Sequence, residues 1–190
     1  EGAISYIRRF WKGDVTAVLD PVFLLGSGEW EKIEIPPARE KYILVSCTER
    51  NPSLLRCARE LSQRTGLPVV ELRDTPPEAD APFSADCTAG PAEFLGYVRR
   101  ADYVLSNSFH AAAFSIIFEK RFLAFAHSSF NARLQSVLRI HGLEGRLCTG
   151  DTDPAVIDTP VDWEAVRERT RSAVEKSEAF LFQNAAEGMQ

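Results

Sequence analysis

At 190 residues, 45% of them hydrophobic, the chain has length and apolar content for one generous α/β domain or two small ones with an ordinary core. A formal net charge of -5 excludes a protein that works by condensing onto phosphate backbones or anionic lipid, which needs clustered Lys and Arg, so nucleic acid is not an expected partner. The scattered Cys47, Cys57, Cys87 and Cys148 form no C-x-x-C pair, which excludes a zinc ribbon or dithiol redox motif, and no apolar run is long enough for a membrane span or a leader.

The chain opens on Glu1 in a polar, helix-like stretch without an initiator Met, and residues 1–16 read as the remnant of an interdomain helix or linker cut from something longer. Gly26-Ser27-Gly28 follows no strand-to-helix G-x-G-x-x-G or Walker pattern and reads as a turn. Tyr42 to Cys47 has the length and β-branched content of a buried strand. A helix over Pro52 to Gly66 follows, with Asn51 as cap, Pro52 in the first turn and Leu54, Leu55, Ala58 and Leu61 as its stripe. Pro68 to Leu72 is the next strand, completing a β-α-β unit, and the Pro-rich, acidic Arg73 to Asp86 reads as a loop. Gly90 to Ala101 predicts a helix feeding a strand at Tyr103 to Ser106. A helix over Phe109 to Glu119, a strand over Phe122 to Ala126 and a helix over Asn131 to Ile140, stopped by Gly142, continue the alternation. Cys148 to Pro160 is dense in Asp, Thr and Pro and reads as a loop, and Trp163 to Gln183 predicts a long final helix. Such alternation predicts a doubly wound parallel sheet flanked by helices.

Ligands of open parallel sheets bind beyond the carboxyl ends of the strands, where loops and helix amino termini converge. Those ends deliver Thr48, Glu49 and Arg50; Arg73 and Asp74; Asn107, Ser108 and His110; and His127, Ser128 and Ser129. The turn in SNSFHAAAFSIIF stands out, because free amides and the dipole at its helix start favour an anion while His110 can pass a proton. The plainer alternative is that Asn107 or Ser108 only caps the helix and His110 satisfies a core hydrogen bond. His127 fits ligand contact or the capping of the helix near Asn131, and Arg50 and Arg133 are cations near the same rim, able to pair with a dianion or simply solvated. His141, beside Gly142, reads as a structural complement to a helix dipole. Asp151 and Asp153 lack the ligand spacing of a calcium site, and no metal is expected.

The stretch GPAEFLGYVRRADYVLSNSFHAAAFSIIFEKRF, followed by NARLQSVLRIHGLEGRL, resembles the carboxy-terminal half of the polysaccharide pyruvyltransferase family. AVLDPVFLLGSGEWEKI resembles the segment just after that family's interdomain crossing, and together these cover most of residues 17 to 147. The resemblance implies the second, Rossmann-like domain of an enzyme resembling GT-B-type glycosyltransferases, with residues 17–160 as the donor-binding domain and residues 161–190 as a carboxy-terminal helix packed on it. It implies a bacterial enzyme carrying the enolpyruvyl unit of phosphoenolpyruvate to a sugar of a cell-surface polysaccharide and forming a pyruvate ketal, without a cofactor. On these positions His110 is the general acid/base or phosphate partner, Asn107 and Ser108 position the donor, Arg133 neutralises charge, Arg50 adds a second cation, and Asn131 with Arg133 forms the family's N-x-R element. Implied partners are a glycan or lipid-linked saccharide acceptor and an amino-terminal domain of the same protein. The expected location is cytoplasmic, with a place at the inner membrane face open to the full-length protein. The chain departs from the family in having Ala111 where Gly often follows the histidine, placing a methyl group next to the expected anion site, and Arg121 where Pro is frequent. Two rivals share the fold: a glycosyltransferase gripping a nucleotide-sugar pyrophosphate at the Ser106 to His110 turn, and a non-catalytic carbohydrate-binding module.

Overall fold

A computed structural model describes residues 2–73, 76, 81–129, 131–149 and 153–187. Asp74 and Asp151, both named above, lie outside the described residues. In chain order the elements are α1 (Gly2–Ile7), α2 (Ser27–Glu31), β1 (Ile43–Ser46), α3 (Pro52–Thr65), β2 (Val69–Leu72), β3 (Ser84–Asp86), α4 (Pro91–Arg100), β4 (Tyr103–Ser106), α5 (Phe109–Ile117), β5 (Phe122–Phe125), α6 (Ala132–His141), β6 (Leu147–Cys148) and α7 (Trp163–Glu187).

All strand pairs are parallel and the sheet order is β3-β2-β1-β4-β5-β6. The chain builds outward from β1 through β2 and β3, then crosses back to β4 and builds the other way. This Rossmann-like order leaves a crevice at the carboxyl ends of β1 and β4, where the connections part to opposite sides. Alternation along the strands feeds two cores. Tyr42, Leu44, Val104, Phe122 and Ala124 join the cluster shared with α4, α5, α6 and Val166 of α7, while Ile43, Val45, Leu105, Leu123 and Phe125 join Leu54, Ala58 and Leu61 of α3.

Helix boundaries follow the punctuation of the sequence. Asn51 Oδ1 accepts from the Leu54 amide at 3.0 Å, and Gly66 closes α3 in the left-handed region at φ 72°. The α5 helix ends at Ile117, short of the expected Glu119, which itself turns left-handed at φ 53°. The α7 helix runs to Glu187, past the expected end at Gln183, and clasps the other end of the chain: the Leu19 amide donates to Ser177 Oγ at 3.0 Å.

Three local expectations are corrected. Gly26-Ser27-Gly28 opens the short helix α2, because Trp30 Nε1 donates to the Val22 carbonyl at 3.0 Å and its ring meets Phe114 edge-on at 5.1 Å. The expected Arg73 to Asp86 loop contains β3, a polar edge strand with no apolar signature that pairs Val70 with Ser84 and Leu72 with Asp86. The expected Cys148 to Pro160 loop gives its first residue to β6 and contains a helical turn over Pro154–Asp158. Among the described residues, no helix is long and apolar enough to cross a membrane and no His, Cys, Asp and Glu group could hold a metal ion.

Candidate functional site

The crevice between β1 and β4 is stitched by side chains from both strand ends. Ser106 Oγ donates to the Ser46 carbonyl and accepts from the Ser108 amide at 2.9 Å. Asn107 is only 5% exposed. Its Oδ1 accepts from the Thr48 amide at 2.8 Å and from Thr48 Oγ1 at 3.3 Å, and its Nδ2 donates to the Glu49 carbonyl at 2.9 Å. Both polar atoms are therefore spent on the β1 loop, so Asn107 shapes the crevice floor instead of presenting a free amide. Asn131, grouped with the same rim from sequence, closes its own loop: Oδ1 accepts from the His127 amide at 2.6 Å and Nδ2 donates to the His127 carbonyl at 2.8 Å.

Ser108 caps α5 weakly, its Oγ accepting from the Ala111 amide at 3.5 Å, while its carbonyl accepts from the Ala112 amide at 3.1 Å. The amides of Phe109 and His110 find no acceptor among the described residues and open on the crevice end of the helix. His110, in this first turn, is exposed, with its ring edge-on to Phe109 at 5.3 Å. The alternative of a buried, hydrogen-bonded core histidine is thereby overturned. Ala111 is fully buried, its methyl packed inward where the small residues Ala111, Ala112 and Ala113 let α5 settle on the sheet. The expected extra methyl beside an anion site is therefore corrected to a packing contact.

The two expected cations sit differently. Arg50 is exposed at the end of the β1 loop and makes no ion pair among the described residues. Arg133 lies across the start of α5, its guanidinium 4.2 Å from the Phe109 ring centroid and its Nη2 3.0 Å from Asp20 Oδ2. It borders a cleft of about 380 Å³ whose walls include Val18, Asp20, Phe109 and Ser136.

Sequence reasoning named Glu49 as a strand-end residue but passed over its carboxylate. Ser128 donates to it twice, from the amide at 2.5 Å and from Oγ at 2.8 Å, and His127 Nε2 lies 3.4 Å away. The two Ser128 donors hold the Glu49 carboxyl below the usual carboxylate range, with His127 adding to the effect, so it is ionised at neutral pH. His127 does not cap α6: its Nδ1 accepts from the Ser129 amide at 3.2 Å and its other nitrogen faces Glu49. With Asn51 Nδ2 donating to the Ala126 carbonyl at 3.1 Å, three loops close into one rim. Cys47 stands at the same edge, but burial pushes its thiol up to about 12 and leaves it protonated.

His141 keeps its structural role for a different reason from the one expected. It is fully buried, stacked on Phe23 at 4.8 Å with Nδ1 2.7 Å from the Val137 carbonyl, and burial pushes its pKa down. It is therefore a neutral core ring rather than a charge complementing the end of α6.

The family model for polysaccharide pyruvyl transferase matches residues 4–129, a span that contains β1 to β5 and the rim up to Ser129 and stops short of Asn131 and Arg133. No curated protein matches the chain. Among solved structures it is similar to the spinosyn forosaminyltransferase SpnP, with a TM-score of 0.47 and 14% identity over 88% of this chain and 45% of that one. It is also similar to the UDP-GlcNAc 2-epimerase of Methanocaldococcus jannaschii in complex with UDP-GlcNAc and UDP, at a TM-score of 0.43 and 11% identity over 86% and 49%. The Neisseria meningitidis UDP-GlcNAc 2-epimerase bound to UDP-GlcNAc gives 0.41 and 12% over 80% and 42%. The chain spans about half the length of these structures.

Proposed function

Because the chain belongs to the polysaccharide pyruvyl transferase family, we propose that it is the donor-binding part of an enzyme that transfers the enolpyruvyl unit of phosphoenolpyruvate to a pair of sugar hydroxyls and closes them into a ketal. In this reading the cleft has a second wall, supplied by an amino-terminal domain of a longer polypeptide. The acceptor is a glycan or lipid-linked saccharide of a bacterial surface polysaccharide, and the enzyme works in the cytoplasm.

The reading is carried by one arrangement: an exposed imidazole, His110, in the first turn of a helix whose opening amides have no acceptor among the described residues, at the point where a Rossmann-like sheet binds ligands. A dianionic phosphate fits those amides, and the ring beside them is placed for proton transfer. A proton goes to the methylene carbon of the donor. The first sugar oxygen bonds to the neighbouring carbon and gives up its own proton, forming a tetrahedral phosphate ester. The carbon–oxygen bond to phosphate then breaks, inorganic phosphate departs, and the second hydroxyl adds at the same carbon with loss of its proton. His110 serves as the general acid/base or as the protonated partner of the phosphate. Ser108 and the α5 amides hold the donor, and Asn107 and Asn131 fix the loops around it. Arg50 and Arg133 supply positive charge, Arg133 by exchanging Asp20 for the donor. The route uses no metal and no cofactor.

The test is mass spectrometry of an acceptor glycan incubated with phosphoenolpyruvate and the full-length protein. A ketal-bearing product with stoichiometric phosphate release supports the reading. Transfer of a glycosyl unit from a nucleotide-sugar, or glycan binding without turnover, overturns it.

A further inference from the structure

The ring of His141 is 1% exposed, and its two nitrogens fare differently. Nδ1 lies 2.7 Å from the Val137 carbonyl, which can only accept, so Nδ1 carries the proton and Nε2 of the neutral ring presents a bare lone pair. That lone pair is buried and meets no hydrogen-bond donor among the described residues. Because Nδ1 turns back onto its own helix, the opposite edge of the ring points off α6. At this end of α6, His141 borders a cavity of about 280 Å³ together with Gly142, Arg146, Val156, Asp162 and Arg169.

The walls are cationic. The Arg169 guanidinium lies against Gly142, where an added Cβ would fall 3.0 Å from its Cζ, and it makes no ion pair or hydrogen bond among the described residues. Arg146, 6% exposed, is set among carbonyls, donating to Val156 at 3.1 Å, to Ile157 at 3.0 Å and to Thr159. Asp162, the one carboxylate among the described lining residues, is turned to a cap: its Oδ1 accepts from the Ala165 amide at 3.0 Å. The α7 helix begins beside it and adds the positive end of its dipole.

A metal ion or an ammonium group would face two guanidiniums with a single nitrogen to hold it, so the partner that suits Nε2 is a neutral hydroxyl. One water could satisfy the lone pair, but the cationic walls call for an anion as well. The volume lies just under the roughly 300 Å³ at which drug-sized ligand sites begin, which suits a molecule of a few carbons.

We propose that this cavity binds a small hydroxylated anion, its hydroxyl donating to His141 Nε2 and its carboxylate or phosphate pairing with Arg169. Phosphoenolpyruvate does not meet the requirement, because with its acidic groups ionised it has no hydroxyl to donate. The site stands apart from the pyruvyl-transfer reading and from the crevice, which opens at the other end of α6, about 15 Å of helix away.

The experiment is isothermal titration calorimetry of the full-length protein with glycerol 3-phosphate and with lactate. The comparisons are sulfate, an anion without a hydroxyl, and glycerol, which has hydroxyls without charge. At least one of the two hydroxylated anions should bind about tenfold or more tighter than sulfate or glycerol. Tighter glycerol 3-phosphate assigns the site to phosphorylated polyols, and tighter lactate assigns it to hydroxy acids. His141→Phe keeps the stack on Phe23 and removes the acceptor, and Arg169→Gln removes the cation; each should weaken that binding about tenfold. Arg169→Lys should restore part of it, and His110→Ala should leave it unchanged. Arg169 lies at the surface, so its variants test the site even where His141→Phe loses the circular dichroism spectrum of the parent. Sulfate bound as tightly as either hydroxylated anion would mean an adventitious ion only and overturn the site. Binding unmoved by either change, displacement by phosphoenolpyruvate, or no binding of either probe at about 10 mM would overturn it equally.

Discussion

His110 and His141 show how one side chain is set to two uses by its surroundings. His110 stands exposed to water at the start of α5, whereas His141 is sealed between α6 and Phe23. If His110 moves the proton in the proposed transfer, His110→Ala in the complete enzyme lowers turnover by at least about a hundredfold. Steady-state phosphate release is the measurement, and a near-normal rate would remove the assignment. For His141 the pH argument has a definite sign. Burial disfavours its charged form, so the folded chain takes up that proton less readily than the unfolded chain does. The stability it permits is present above the ordinary histidine range and is lost as pH falls below about 6.5. Thermal midpoints followed between about pH 8 and pH 5 should drop, and His141→Phe, which removes the titration and keeps the stack on Phe23, should flatten that fall.

Among the elements, Gly96 on α4 sets a competition that magnitudes decide. Alanine there would raise helix propensity by up to about 1 kcal/mol. Its Cβ would fall 2.0 Å from the Ile35 carbonyl oxygen, and relief of that clash pushes the preceding segment away and strains the Ile35 amide bond to the Ala92 carbonyl at 2.9 Å. Overpacking against backbone costs about 2 to 3 kcal/mol, so Gly96→Ala should be net destabilising in urea unfolding, with an unchanged slope. The same scale shows what could be read in advance. The α3 helix was legible from end to end because Asn51, Pro52, its apolar stripe and Gly66 are all local signals. The β3 strand was not, because Ser84, Ala85 and Asp86 bury little and the edge of a sheet demands hydrogen bonds more than apolar faces. The position of the site was legible from strand ends. The inward use of Asn107 and the pinning of Glu49 were not, because their partners lie 59 and 79 residues away, and no local spacing records which loop a side chain will meet.

For the molecule as a whole, the order β3-β2-β1-β4-β5-β6 concentrates unpaired helix amides and loop side chains on one edge and leaves the opposite edge to turns. A small dianion bound at that edge should therefore stabilise the fold by simple linkage. Phosphoenolpyruvate at a hundred times its dissociation constant should add about 2.7 kcal/mol, seen as a concentration-dependent rise in melting temperature, with UDP-sugars giving none. A rise with UDP-sugars alone would favour a nucleotide-sugar transferase.

The clasp between Leu19 and Ser177 gives the molecule an order of completion. On a ribosome the Leu19 amide is made well before its acceptor, which belongs to α7 and lies 158 residues further on. The sheet has every residue it needs once β6 has emerged, but the strip that carries Asp20 to Arg133 stays unfastened until α7 is delivered. A nascent chain stalled before residue 177 would thus hold a finished scaffold with one border of its cleft still loose, and delivery of α7 would be the event that fastens it.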